Sequence, residues 1–380
     1  MRRRMRGLAV GAIALTSVLS MAACAKDTGP TSPGSTNTAG GCKLADKPAA
    51  AAATSSTTAS DEKVDGSALK VGLAYDIGGR GDASFNDSAA AGLDKAKSDL
   101  GIKPENLKEL TAAPNEPEDA KLTRLRQLAG EGFNPIIGVG FAYAESLAVV
   151  APEFPNVKFA IVDGAVEGAA NVTPLVFAEE QGSFLAGVIA AYQSKACHVG
   201  FVGGVEIPLI QKFDAGFAQG AKTAAPDIKI EKKYLTPAGD FTGFQDPTKG
   251  QEAATGQIES GADVLYHAAG ASGKGVFSAA KTAGVKAIGV DSDQYLQKTV
   301  EESKDVIVSS MLKRVDVAVY DFVKAVAKND LASLPKVFDL SVDGVGYATS
   351  GGKIDDSLKS VLEGYKAQII EGKIKVTDKP

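Results

Sequence analysis

Histidine is almost missing from this sequence: His198 and His267 are the only two in 380 residues. Both sit in apolar, strand-like runs, and neither has a neighbour at metal-ligand spacing, which argues against a zinc site or a His-dependent nucleophile. The nucleotide loops are missing too. Gly270-Ala-Ser-Gly-Lys-Gly275 has Ala268 where a phosphate loop needs its first glycine and Gly275 where it needs Ser or Thr. The nearest approach to a dinucleotide fingerprint, His198-Val-Gly-Phe-Val-Gly-Gly204, has the wrong spacing, so no cofactor and no metal are expected. Beyond the first twenty residues no run is long and apolar enough to span a bilayer. Basic excess is lacking as well, with 41 Lys and Arg against 46 Asp and Glu, which disfavours nucleic acid as a partner.

What is present begins at the N-terminus. Arg2, Arg3, Arg4 and Arg6 precede an apolar run from Leu8 to Leu19, and Ala22 and Ala23 stand directly before Cys24. This is the pattern of a signal peptide over residues 1–23, with Cys24 as the cleaved and acylated residue of a bacterial lipoprotein. Met21 stands where such signals usually carry a branched aliphatic, and the alternative is ordinary secretion after Ala23. Removing the leader leaves 37 basic side chains against 46 acidic ones. The expected location is the extracytoplasmic face of the cell membrane, held by lipid only. Cys42 and Cys197 remain; they pair as a disulfide that staples the tether to the body, or Cys197 is a small buried apolar residue and Cys42 is free.

Residues 24–66 are Thr, Ser, Gly, Pro and Ala with almost nothing large and apolar, so a flexible, lipid-anchored spacer with no core of its own is expected there. From Leu69 onward short apolar runs alternate with stretches of helical period, the mark of βα units around mostly parallel sheets. Phe85, Ala89, Leu93, Ala96 and Leu100 recur at helical steps, and Ser84 with Asp87 reads as a capping box at the start of that helix. Strands are expected at 135–139, 158–162, 172–177, 198–202, 228–235, 263–267, 286–290, 306–310 and 336–341. Helices are expected near 144–150, 181–193, 209–223, 249–260, 275–283, 314–328 and 356–372. That count suits two sheets of five or six strands.

Ligands of open α/β sheets bind beyond the carboxyl ends of the strands. There the sequence places Asp76, Gly78 and Gly79; Gly138 and Gly140; Asp163 and Gly164; Gly203 and Gly204; Gly270; and Asp291. Each acid alone could simply cap a following helix. Their recurrence at one edge favours a cleft. Arg80-Gly81-Asp82 spells an adhesion tripeptide, read here as part of a glycine-rich loop.

Several ordered segments resemble the basic membrane lipoprotein family of substrate-binding proteins. They are Asp76-Ile-Gly-Gly-Arg-Gly-Asp-Ala-Ser-Phe-Asn86, Gln181-Gly-Ser-Phe-Leu-Ala-Gly187, Gly200-Phe-Val-Gly-Gly204 with Pro208 and Phe213-Asp-Ala-Gly-Phe217, Tyr266-His-Ala-Ala-Gly270, and Gly289-Val-Asp-Ser-Asp-Gln294. The resemblance runs from about Leu69 to Val376. It implies the type I periplasmic-binding-protein fold, an α/β architecture of two doubly wound Rossmann-like lobes with an interlobe cleft. The first lobe is expected to take 67–176 and 311–334, and the second 177–310 and 335–380.

The resemblance also implies a ligand, a purine nucleoside, and a partner, an ABC permease; a monomer is expected. Carried over by position, Phe85 is one stacking ring, Asn86 and Asp163 read the base edge, and Asp76 leads the first motif. Phe244 is the second ring, with Phe241 the alternative, and Gly270, Asp291 and Lys313 face the ribose. Without the resemblance, Phe85 would read as core and Lys313 as a solvated helix start. Two rival readings follow: a binding protein for a sugar or other polar solute with a sensory role, or a nucleoside hydrolase. Nothing in the sequence supplies the paired acids or histidine of the second.

Overall fold

The computed structural model describes residues 38–39, 41–49 and 63–380. The leader, Cys24 and most of the spacer lie outside the described residues. Two short strands, β1 (Thr38–Ala39) and β2 (Cys42–Lys43), pair antiparallel, and Cys42 is joined to Cys197 as a disulfide.

The first sheet has five parallel strands in the order β4-β3-β5-β6-β7. They are β3 (Val71–Tyr75), β4 (Leu107–Thr111), β5 (Ile136–Gly138), β6 (Phe159–Val162) and β7 (Val172–Leu175). Strands β3, β5 and β6 are buried at every residue, which is why they read as continuous apolar runs. Three helices connect them: α1 (Phe85–Leu100), α2 (Glu118–Gly130) and α3 (Ala144–Glu153). The capping box expected at α1 is not formed. Ser84 makes no side-chain cap bond. Asp82 supplies it instead, its carboxylate accepting from the backbone N–H groups of Ser84, Asn86 and Asp87 at 2.8 to 3.1 Å, while Asp87 turns back to Gly81 and Ala83. Arg80 is held by Asp94 and Glu109, and Asp82 is buried, so the Arg-Gly-Asp tripeptide is a loop brace.

The second sheet has six strands in the order β13-β12-β11-β10-β8-β9, parallel except for β13 at the edge. These are β8 (His198–Val205), β9 (Lys229–Thr236), β10 (Val264–Ala268), β11 (Lys286–Asp291), β12 (Ile307–Lys313) and β13 (Val345–Tyr347). Around them lie α4 (Glu179–Gln193), α5 (Pro208–Ala224), α6 (Pro247–Glu259), α7 (Gly273–Ala283) and α9 (Asp356–Ile370). Helices α4 and α5 pack backbone against backbone: a Cβ on Gly220 would lie 1.9 Å from the Phe184 carbonyl oxygen, and one on Gly216 would lie 2.1 Å from that of Glu180. The glycine-spaced segments 181–187 and 213–217 are thus explained by helix packing.

Helix α8 (Val315–Lys328) follows β12 but packs against α1. Ser88 accepts from the Asp316 N–H, and a Cβ on Gly92 would meet the Asp316 carbonyl at 2.4 Å. The chain stays in the second sheet through Lys313, so residues 311–313 belong to β12 and the crossing comes after them. The strand expected at 336–341 is not there: Phe338 makes one parallel bridge to Phe177, and Leu340–Val342 is a short 3-10 turn. Phe177 and Phe338 also stack at 5.3 Å, beside the points where the chain passes between lobes.

Candidate functional site

The carboxyl ends of both sheets face one cleft of about 620 Å³, its open mouth included. From the first lobe come Asp76 and Ile77 after β3, Asp82, Phe85 and Asn86 at the start of α1, Gly140 and Phe141 after β5, and Asp163 after β6. From the second come Leu209, Ile210 and Phe213 of α5, Phe244, Gly270 and Ala271 after β9 and β10, and Asp291 and Lys313 at the ends of β11 and β12. All eight positions singled out from the sequence, Asp76, Phe85, Asn86, Asp163, Phe244, Gly270, Asp291 and Lys313, lie in this wall.

Asp163 directly after β6 and Asp291 as the last residue of β11 both take left-handed backbone, with φ of 64° and 62°. Asp tolerates this conformation better than most residues, yet it still costs of the order of 1 kcal/mol. The turn swings each carboxylate off its sheet and into the cleft. Behind them lies a buried charge cluster. Lys313, 2 % exposed, donates to Asp163 Oδ2 at 2.6 Å and reaches Glu179 Oε1 at 3.3 Å, while Lys212 pairs with Glu179 at 3.1 Å. Its ammonium lies 5.2 Å from the Phe85 ring centroid and 5.1 Å from that of Phe177. Burial works against its charge, but Asp163, Glu179 and Asp291 outweigh it and hold the lysine above its ordinary range. Lys313 is therefore not a solvated helix start but a buried strand-end cation.

The cleft carboxylates respond in the opposite sense to ordinary surface acids. Burial raises Asp76 to about 6, against the Ile77 N–H that it accepts. Burial also raises Asp163 to about 6 against the pull of Lys313. Asp291 rises to about 7 through burial, with Lys313 and the Ser84 hydroxyl opposing and Asp163 and Asp82 adding to it. An acid whose folded pKa is raised binds more protons folded than unfolded between its ordinary pKa and the raised one, so its contribution to stability is lost as pH climbs through that window. The ligand-free protein is therefore expected to melt at a higher temperature near pH 5 than near pH 7.5, and Asp291→Asn should flatten the slope. A wild-type melting temperature that rises steadily over that range would contradict it.

Two acceptors in the wall have no partner. Asn86 spends its amide Nδ2 on the Ile77 carbonyl and Asp82, which leaves Oδ1 buried and unbonded; Asp163 Oδ1 is likewise unbonded. Buried acceptors without partners are costly and rare. Both residues line the cleft. Phe244 lines the cleft, whereas Phe241 packs edge-on against Phe141, at 5.5 Å between centroids. Phe141, Phe213 and Glu179 were not anticipated from the sequence. Phe141 could have been, since it follows the Gly138-Val-Gly140 strand end; Glu179, at the start of α4, carries no local signal.

His267 is fully buried, with burial lowering its pKa to about 4, and His198 contacts Glu231 at 3.0 Å. Among the described residues no group of His, Cys, Asp or Glu is arranged to hold a metal ion, and no helix is long and apolar enough to cross a membrane.

Residues 68–379 match the family described as ABC transporter substrate-binding protein, PnrA-like. The chain belongs to this family. Its members are binding proteins rather than catalysts, and membership carries with it a small-molecule ligand and an ABC permease partner. Among its relatives, the CD4+ T-cell-stimulating antigen of Listeria monocytogenes is 35% identical over 82% of this chain and 88% of its own length. The ABC transporter nucleoside-binding protein BmpA of Lactococcus lactis is 32% identical over 98% of this chain and 99% of its own. A solved ABC transporter solute-binding protein from Aeropyrum pernix superposes with a TM-score of 0.68 at 27% identity, covering 81% of this chain and 92% of that one. The architecture is that of the type I periplasmic-binding proteins.

Proposed function

We propose that this family member captures a purine nucleoside between its lobes and delivers it to an ABC permease from the outer face of the cell membrane, where acylated Cys24 anchors it. The observation that carries the ligand class is the combination of an aromatic ring from each lobe, Phe85 and Phe244, with the two unpartnered acceptors Asn86 Oδ1 and Asp163 Oδ1. A flat base stacks on such rings, and its N–H groups satisfy the acceptors. Asp291 accepts from a sugar hydroxyl, and Lys313 fixes the acid cluster behind it. The Lactococcus relative, named for nucleoside binding, supports the same reading. Asp76 and Gly270 complete the wall: Gly140 leaves room for the Asp76 carboxylate, whose Oδ2 would lie 2.7 Å from any Cβ there.

Calorimetric titration tests this on a soluble form that begins at Ala25 and so keeps the Cys42–Cys197 bridge, unfolded and refolded without reductant to strip carried-over ligand. Adenosine, guanosine, inosine, uridine, free adenine and ribose make up the panel. Purine nucleosides are expected to bind, and Phe244→Ala to weaken them by roughly 5- to 150-fold, the worth of one stacked base. Asp291→Ala should weaken nucleosides more than the free base. No heat with any purine nucleoside would remove the ligand assignment, and release of free hypoxanthine from inosine would replace binding with hydrolysis.

A further inference from the structure

The turn Gly81–Ser84 belongs by sequence to the first lobe, between β3 and α1, yet four of its hydrogen bonds go to the second. Lys274 Nζ donates to the Gly81 carbonyl at 2.6 Å. Gln294 Nε2 donates to the Ala83 carbonyl at 3.0 Å. The Ser292 hydroxyl donates to the Ser84 carbonyl at 2.8 Å, and the Ser84 hydroxyl donates to Asp291 Oδ2 at 2.5 Å. Three of the turn's four carbonyls, those of Gly81, Ala83 and Ser84, thus accept from side chains of the opposite lobe. The methyl group of Ala83 goes further. It is fully buried in an apolar cluster whose other members, among them Val202, Leu265, Val276 and Phe277, all come from the second lobe. Ala83 holds a φ of 65°, left-handed backbone that a non-glycine residue adopts only at some cost.

We propose that the Gly81–Ser84 turn is an interlobe latch, which joins the two lobes through protein contacts alone and sets how much of the ligand-free protein is closed. A ligand then does not have to supply the whole of closure. Apparent affinity scales with the fraction of protein already in the competent state, so the latch tunes binding from outside the set of groups that touch the ligand. The Ser84 bond has a second effect. It holds one oxygen of Asp291, an acid of the cleft wall, so closing the latch also fixes that side chain.

The test needs no ligand, which keeps it separate from the nucleoside reading. Spin labels placed at the exposed rim positions Glu167→Cys and Glu206→Cys, one on each lobe, report the interlobe distance by pulsed electron resonance in full-length protein stripped of ligand. The comparison is with Lys274→Ala combined with Ser292→Ala, two partly exposed side chains outside the ligand wall. Removing two hydrogen bonds should lower the ratio of closed to open molecules about tenfold, with thermal unfolding of the variant close to that of the parent. Identical distance distributions in parent and variant, whether open or closed, would overturn the proposal.

Discussion

Replacing Lys313 with methionine is expected to cost the ligand-free protein about 3 to 5 kcal/mol at neutral pH, the usual penalty for removing one partner of a buried ion pair. The reason is the company it keeps. Asp163 and Glu179 both bond to its ammonium, each carboxylate is at most 5 % exposed, and Asp291 lies within its field. Without the lysine, these acids face one another in a dry site with only Lys212 left to neutralise Glu179. The loss should shrink toward pH 5, because acids already raised toward neutrality take up protons and cease to repel. Denaturant unfolding at pH 5 and pH 7.5 checks both the size and the pH dependence. A deficit equal at the two pH values would mean that Lys313 contributes packing and not charge.

Removal of the Cys42–Cys197 bridge should have an effect of similar size. The bond closes a loop with a sequence separation of 155 residues, which contains the whole first sheet. Loop-closure entropy for a loop of that length is worth about 5 kcal/mol in the chain-entropy picture, of which engineered comparisons usually recover less. Cys42→Ser with Cys197→Ser is therefore expected to lose about 2 to 5 kcal/mol, and wild-type protein unfolded in the presence of a reductant should behave like the double variant. The bridge also has a local consequence. Ala45 donates its N–H to the Ala224 carbonyl, Lys47 reaches Ser357, and Pro48 lies over Gly364, so residues 42–49 are laid along α5 and α9. Hydrogen exchange in that segment should rise sharply in the double variant and little elsewhere.

Much of this fold could be read from the chain because its inner strands are buried on both faces and so appear as unbroken apolar runs. Reading failed where burial is partial. Strand β4, Leu107–Thr111, has the sequence LKELT and sits at a sheet edge, and α2, EDAKLTRLRQLAG, buries only Leu125, Leu128 and Ala129, so neither gives a strong period. The three-residue β13 is too short to announce itself. Residues 336–341 read as a strand because Val337 and Phe338 are apolar, but Phe338 is spent on the bridge to Phe177 between the lobes.

The cleft residues were accessible for two different reasons. Asp76, Asp163 and Asp291 follow strands, and the edge rule finds them. Phe85, Asn86, Phe244 and Lys313 came from family resemblance, since each has an ordinary structural reading on its own. What no local pattern could reveal is the pairing of residues far apart in the chain. The Lys313–Asp163 and Lys313–Glu179 contacts, the docking of Ala83 into the second lobe, and the bond between Ser84 and Asp291 all depend on where the fold brings the chain back. The capping box failed for that reason: the Ser84 hydroxyl was already committed to Asp291.

The placement of α8 against α1 sets a rule for the order in which the molecule can be made. A ribosome completes the first sheet when it reaches Leu175, but the face of α1 carrying Ser88 and Gly92 stays uncovered until residues 315–328 arrive. During that interval the first lobe lacks a helix and the second is still unmade. The first lobe therefore cannot reach its final packing as soon as its own sheet is made; it waits for a helix encoded more than a hundred residues later.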